Sequence, residues 1–210
     1  MVKLTATTGQ IRRYGWSITP SRSGRRSDCD FGPGFYLGED YDQAISFVCG
    51  YPKSSVYVFR FHNENLKIVE LDCNLDWMII ICYFRGTIKR YNNHQFVLNA
   101  LNLIKDADVI IAPIANNKMF YVMQQFAEGE ITTTQAMHSL AASYLGNQYV
   151  FKTKKAIDSL EFLERLYLSN IEKEKYIQIM SDRGNEIDTK LKMAKREFRG
   201  EGQYIDELFV

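Results

Sequence analysis

The chain has 210 residues, of which 46% are hydrophobic, 13% aromatic and 24% charged, a globular composition that excludes wholesale disorder. Twenty-six Lys and Arg face 25 Asp and Glu, for a formal net charge of +1. The overall field therefore gives no reason to expect general binding to nucleic acid or to a membrane surface, and a polyanion would have to meet a local patch.

In chain order, Lys3 to Thr8 reads as a short strand, followed by irregular segments rich in Gly, Ser, Thr and Arg. Asp30-Phe-Gly-Pro-Gly-Phe-Tyr-Leu-Gly38 describes a tight turn leading into a strand. Glu39 to Cys49 reads as a helix with Ala44, Ile45, Phe47 and Val48 on one face. Ser54 to Phe61 and Asn65 to Leu71 read as strands. Leu75 to Phe84 is continuously apolar; the capping residues at 72–76 favour a buried helix. Asp108 to Pro113 is a buried strand and Lys118 to Phe126 a helix. Thr132 with Gln135 forms a capping box for a helix through Tyr144, and Gln148 to Lys152 is a strand. From Ser159 to Phe198 apolar residues recur at helical spacing among mixed charges, with a break at Asp182 to Asn185. The expected organisation is an α+β domain over 1–158 and a helical extension over 159–210, packed on that domain or on a partner.

Four cysteines, Cys29, Cys49, Cys73 and Cys82, form no CxxC pair, which speaks against zinc and against a disulfide framework and for thiols buried or half-buried in a reducing compartment. The opening Met-Val-Lys-Leu-Thr-Ala lacks the apolar stretch of a signal peptide. The run from Trp77 to Phe84 is too short to span a bilayer. The expectation is a cytoplasmic protein without membrane association.

The densest chemical signal is the Gly32-Pro33-Gly34 turn. Glycines permit close backbone approach to a ligand, and an aromatic ring beside such a turn can stack on a planar heterocycle; an ordinary turn with Phe35 and Tyr36 in the core is the competing reading. Arg12, Arg13, Arg22, Arg25 and Arg26 crowd the segment before it. Arginine forks suit pyrophosphate oxygens, and an acidic or nucleic-acid acceptor or a solvated loop are the other readings. His62, His94 and His138 are scattered and read as surface or structural groups. Asn116 and Asn117 follow the strand ending at Pro113 and can shape a loop near a pocket; Glu128 and Glu130 flank a glycine in a capping turn or stand in for a missing carboxylate.

Gly32-Pro-Gly-Phe-Tyr-Leu-Gly38 followed by Tyr41-Asp-Gln-Ala-Ile-Ser46 resembles ADP-ribosyltransferases of the diphtheria-toxin and poly(ADP-ribose) polymerase branch. More closely, Asp30-Phe-Gly-Pro-Gly-Phe-Tyr-Leu, Asp108-Val-Ile-Ile-Ala-Pro-Ile-Ala and Leu145-Gly-Asn-Gln-Tyr-Val-Phe-Lys-Thr, in that order, resemble a bacterial family of unknown function grouped with that superfamily, often encoded like toxins beside a small antitoxin. The resemblance covers roughly residues 1 to 163. It implies an ADP-ribosyltransferase-like mixed β core, NAD as substrate, a protein or nucleic-acid acceptor, and a His-Tyr-Glu set on separate strands. Tyr36 matches the Tyr slot, which stacks on nicotinamide; Gln148 stands at the Glu slot, which bonds the nicotinamide-ribose hydroxyl; Thr5 falls at the His slot. Around them the resemblance implies cofactor contacts from Thr5, Ala6, Thr7, Arg12, Arg13, Asp30, Phe31, Gly32, Gly34, Phe35, Tyr36 and Asn147. Gln148 can hydrogen-bond but cannot act as a base, which suits single transfer better than chain elongation. The implied activity is NAD-dependent mono-ADP-ribosyl transfer, as a toxin or effector. A catalytically degenerate NAD-binding or protein-interaction module of the same fold stands as the alternative, with nucleic-acid binding through the arginine patch as a third.

Overall fold

The computed structural model describes residues 2–7, 29–46, 48–51, 55–141 and 146–210, with 2–7 described by their backbone. The molecule is α+β. Its strands are β1 (Val2–Thr7), β2 (Phe35–Gly38), β3 (Ser55–Phe61), β4 (Ile68–Glu70), β5 (Val109–Pro113), β6 (Asn147–Phe151) and β7 (Leu160–Tyr167). They form a seven-stranded sheet in the order β4-β5-β6-β2-β1-β3-β7. β4 and β5 pair in parallel and the remaining neighbours antiparallel. The helices are α1 (Tyr41–Ser46), α2 (Leu75–Arg85), α3 (Gln95–Ile104), α4 (Asn117–Ala127), α5 (Thr133–Ala141), α6 (Lys154–Asp158), α7 (Asn170–Glu197) and α8 (Ile205–Leu208), with a short 3-10 turn at Lys89–Tyr91.

Side chains alternate between the two faces of the sheet, as strand geometry requires. Ile110, Ala112 and Val150 enter the larger core with α2, while Val109, Tyr149, Phe151, Phe35 and Leu37 enter an aromatic cluster on the other face. α2 begins where Asn74 Oδ1 accepts the Trp77 amide at 3.0 Å, and ends at Gly86, whose φ of 76° suits a left-handed C-cap. Trp77 to Cys82 are all buried, so this helix is enclosed on every side. α5 opens on the expected capping box: the Thr132 amide donates to Gln135 Oε1 and the Gln135 amide to Thr132 Oγ1. The end expected at Tyr144 lies outside the described residues.

Two expectations for the C-terminal region are corrected. Residues 160–167 are strand, not helix, and pair with β3 at the sheet edge. The expected break at Asp182 to Asn185 is absent, because α7 runs unbroken from 170 to 197. Its capping box at Ser169 and Glu172 starts it firmly, and burial of Tyr176, Leu191 and Ala194 holds both halves down. α7 packs on α1, α4 and α5. The chain end returns to the main core through Ile205 and Phe209, whose ring stacks on Tyr91 at 4.4 Å. α3 was not foreseen from the sequence. Among the described residues no helix is long and apolar enough to cross a membrane.

Candidate functional site

The Gly-Pro-Gly turn is built by close packing. Gly32 has φ +70°, and a Cβ there would lie 2.7 Å from Phe84 Cε1; a Cβ on Gly34 would lie 2.7 Å from Val150 Cγ1. Both glycines thus let the turn press against α2 and β6. The Tyr36 hydroxyl folds back on the same turn, donating to Gly32 O at 2.7 Å and accepting from the Phe31 amide at 3.1 Å. That fixes the half-buried Tyr36 ring relative to the turn.

β2 and β6 place the two principal residues side by side. Gly38 pairs with Gln148 and Tyr36 with Val150, so Tyr36 and Gln148 share a face as diagonal neighbours about 7–8 Å apart. Thr5, in β1, pairs with Gly38 on the other side. The backbone positions of Thr5, Gly38, Gln148 and Ala112 therefore form one row across four strands.

Behind that row lies a buried polar cluster. Asp30, 6% exposed, takes the Arg85 guanidinium on Oδ1, from Nε at 2.8 Å and Nη2 at 2.5 Å. Its Oδ2 accepts from Gln148 Nε2 at 2.9 Å. The second Gln148 amide hydrogen goes to Pro113 O at 3.2 Å, and Trp77 Nε1 donates to that same carbonyl at 3.0 Å. Arg85 also donates to Ala115 O at 3.2 Å and lies over the Phe120 ring. Asp30, Pro113 with Ala115, and Gln148 come from the three segments that carry the resemblance, so all three meet at one cluster. Arg85 is the member that sequence reasoning missed. Its only local signal is a charge in the last turn of an apolar helix, which the helix dipole alone would explain.

A second junction ties β6 to the turn. Lys152 Nζ donates to Phe31 O at 2.6 Å, and burial pulls its pKa down to about 8 against the opposing influence of Cys29. Asp108 accepts from Thr153 Oγ1 at 2.6 Å and from the Lys67 amide at 2.9 Å, bonds that hold its carboxyl below the usual range.

The remaining expected residues separate. Phe31 is fully buried in the main core, and Phe35 enters the cluster on the opposite face from Tyr36. The Asn147 amide donates to Glu39 Oε1 at 2.9 Å, and Asn147 borders a cleft of about 260 Å³ with Glu70, Asp72, Cys73 and Pro113. That cleft contains neither Tyr36 nor Gln148. Ala6 and Thr7 continue β1, whereas Arg12, Arg13, Arg22, Arg25 and Arg26 lie outside the described residues. His94 caps α3, His138 stacks on Phe198 at 3.7 Å, and His62 meets Glu161 at the surface. Asn116 caps α4. Glu128 and Glu130 accept from Gln124 and Gln125 in the turn after α4. Cys49 and Cys82 are buried and Cys29 and Cys73 half-buried; burial raises the Cys82 thiol to about 11. No group of three or more metal-ligating side chains occurs among the described residues.

Comparison with curated proteins gave no match, and comparison with solved structures gave none. A protein-family model described as "Protein of unknown function (DUF3990)" matches residues 19–162, more than half of the chain. The matched stretch contains Asp30, Arg85, Pro113 and Gln148, the members of the buried cluster, and the chain belongs to the DUF3990 family.

Proposed function

We propose that this protein is an NAD-dependent mono-ADP-ribosyltransferase acting on a macromolecular acceptor, with Tyr36 and Gln148 at its centre. The observation that carries the reading is the shared face of β2 and β6, which sets Tyr36 and Gln148 as diagonal neighbours with the Thr5 position one strand further on. The resemblance calls for a ring and a ribose-binding group on separate strands of one sheet. The donor set suits the substrate: both hydrogen bonds of the Gln148 side chain use Nε2, and Oε1 has no partner among the described residues. That oxygen can accept from a ribose hydroxyl. Tyr36 offers a ring held by its own hydroxyl contacts.

In the proposed reaction the bond from the ribose anomeric carbon to the nicotinamide nitrogen breaks, its electron pair leaves with nicotinamide, and the acceptor's nucleophile forms the new bond and loses a proton. Oriented acceptors near the ribose stabilise the positive charge that develops at the anomeric carbon. Toxin action, and an antitoxin partner that restrains it, belong to the same proposal.

A second reading, an NAD-binding or protein-binding module without turnover, rests on one observation: the position on β6 carries an amide whose hydrogens are committed inside the fold. Purified protein incubated with NAD separates the two. Nicotinamide release that falls at least about tenfold in Tyr36→Ala and in Gln148→Ala is the expected result. Thermal stabilisation by NAD without release points to the second reading, and release unchanged in both variants removes these residues from the chemistry.

A further inference from the structure

We propose, resting on that reading, that Asp30 braced by Arg85 is a positioning residue for Gln148. It orients and polarises the amide so that Oε1 receives the ribose hydroxyl, and it supplies at one remove the negative charge that residue 148 lacks. The argument begins with hydrogen-bond capacity. The Gln148 nitrogen has two hydrogens, and they go to Asp30 Oδ2 at 2.9 Å and Pro113 O at 3.2 Å. Both partners are acceptors, so the amide has one possible orientation and Oε1 is turned away from both. Asp30 in turn has one possible allocation. Arg85 occupies Oδ1 through two nitrogens, and Oδ2 remains for Gln148. Asp30 and Gln148 are 6% and 7% exposed, so water competes weakly for these bonds. An N–H bonded to a carboxylate pushes electron density toward its own carbonyl, which makes Oε1 a stronger acceptor.

The same geometry explains why an amide stands at 148. A glutamate there would set a second carboxylate about 3 Å from Asp30 in a buried site, where the two cannot both ionise. Asp30 therefore demands a donor at 148, and restoring a carboxylate at 148 alone should weaken the site. Moving the charge requires both positions to change. In the pair Asp30→Asn with Gln148→Glu the donor sits on position 30, the acceptor on position 148, and the Arg85 charge stays balanced.

The test uses the full chain as wild type, Asp30→Asn, Gln148→Glu and the double variant, each checked for folding by near-ultraviolet circular dichroism. Nicotinamide release from NAD is measured together with exchange of the Gln148 side-chain amide hydrogens by nitrogen-15 NMR. The expected result is slow amide exchange in wild type, fast exchange in Asp30→Asn, and a fall in kcat of roughly tenfold or more in each single variant with KM changed far less. The double variant should recover most of the lost kcat, a pattern that a purely structural role would not give. A double variant no better than either single, or an Asp30→Asn variant with unchanged release and unchanged exchange, overturns the proposal. A wild type that leaves NAD intact overturns the functional reading instead. The amide hydrogens then decide the rest: exchange as fast as in an exposed glutamine would show that Asp30 does not hold Gln148.

Discussion

Arg85 and Asp30 form a buried pair that is costly to leave half complete. Arg85→Ala strands a carboxylate 6% exposed, and removing one partner of such a pair typically costs about 3–5 kcal/mol. Denaturant unfolding of Arg85→Ala should register a loss of that order, and a loss below about 1 kcal/mol would show that water reaches Asp30. Lys152 gives a second residue-level test through pH. Its folded pKa of about 8 lies below the ordinary 10.5, so between those values the unfolded chain binds more protons and stability rises with pH. Below about pH 8 both states are protonated and the burial penalty is fully present. The wild-type stability minus that of Lys152→Met should therefore climb from pH 8 to 10.5, by about 3 kcal/mol at most; a flat difference would mean that the ammonium stays solvated. The resemblance singled out Asp30, Tyr36 and Gln148 in the sequence, and the fold brings Asp30 and Gln148 into hydrogen-bond contact and sets Tyr36 on the same sheet face as Gln148. Arg85 was not legible there, because its partner lies 55 positions away and nothing local requires an arginine at the end of α2.

At the scale of elements, strand β7 shows how a pattern misleads. Leu160, Leu163 and Leu166 recur every third residue, which reads as one helix face. In the sheet Val58 pairs with Glu164 but Phe59 with Phe162, leaving Leu163 as the extra residue of a bulge. A bulge resets the two-residue alternation, so Leu160, opposite Phe61, and Leu166, opposite Val56, lie on opposite faces of the sheet and the spacing of three marks no single face. Helix α7 was misread for the opposite reason. Asp182-Arg-Gly-Asn185 carries breaker residues, yet a glycine inside a helix costs only about 1 kcal/mol, less than the flanking anchors supply. The compact elements, α2 with its Asn74 cap and Gly86 terminus and α5 with its capping box, were readable because their stop and start signals are local. The glycines of the turn give a clean comparison. Gly34→Ala should lower the unfolding midpoint, since its Cβ would meet Val150 Cγ1 at 2.7 Å and Phe151 O at 3.2 Å. Gly50→Ala meets nothing within 4 Å and should stay within about 0.5 kcal/mol of wild type.

For the whole molecule, the C-terminal region is part of the fold. Leu191, Ile205 and Phe209 belong to the same core cluster as Trp77 and Val150, so the helical extension expected from residue 159 supplies an edge strand, a long covering helix and a plug. Phe209 is 8% exposed and packs against Tyr91, His94 and Phe96. Phe209→Ala should cost about 3–5 kcal/mol in global unfolding, and a change confined to local exchange at α3 would show that the plug is separable. β1, the first strand of the chain, lies inside the sheet between β2 and β3. The sequence could not convey that position, because a central place in a mixed sheet is set by long-range pairing.

The seating of Phe209 has a consequence for how the core closes. The ring that fills the seat formed by Tyr91 and Phe96 lies more than 110 positions along the chain from both, so the seat stays open in any partly folded state in which α8 has not docked. Domains generally fold as units, and partly folded states expose apolar surface. A state with α8 detached would offer that open seat as a ready contact for chaperones, and would remain protease-sensitive until Phe209 is in place.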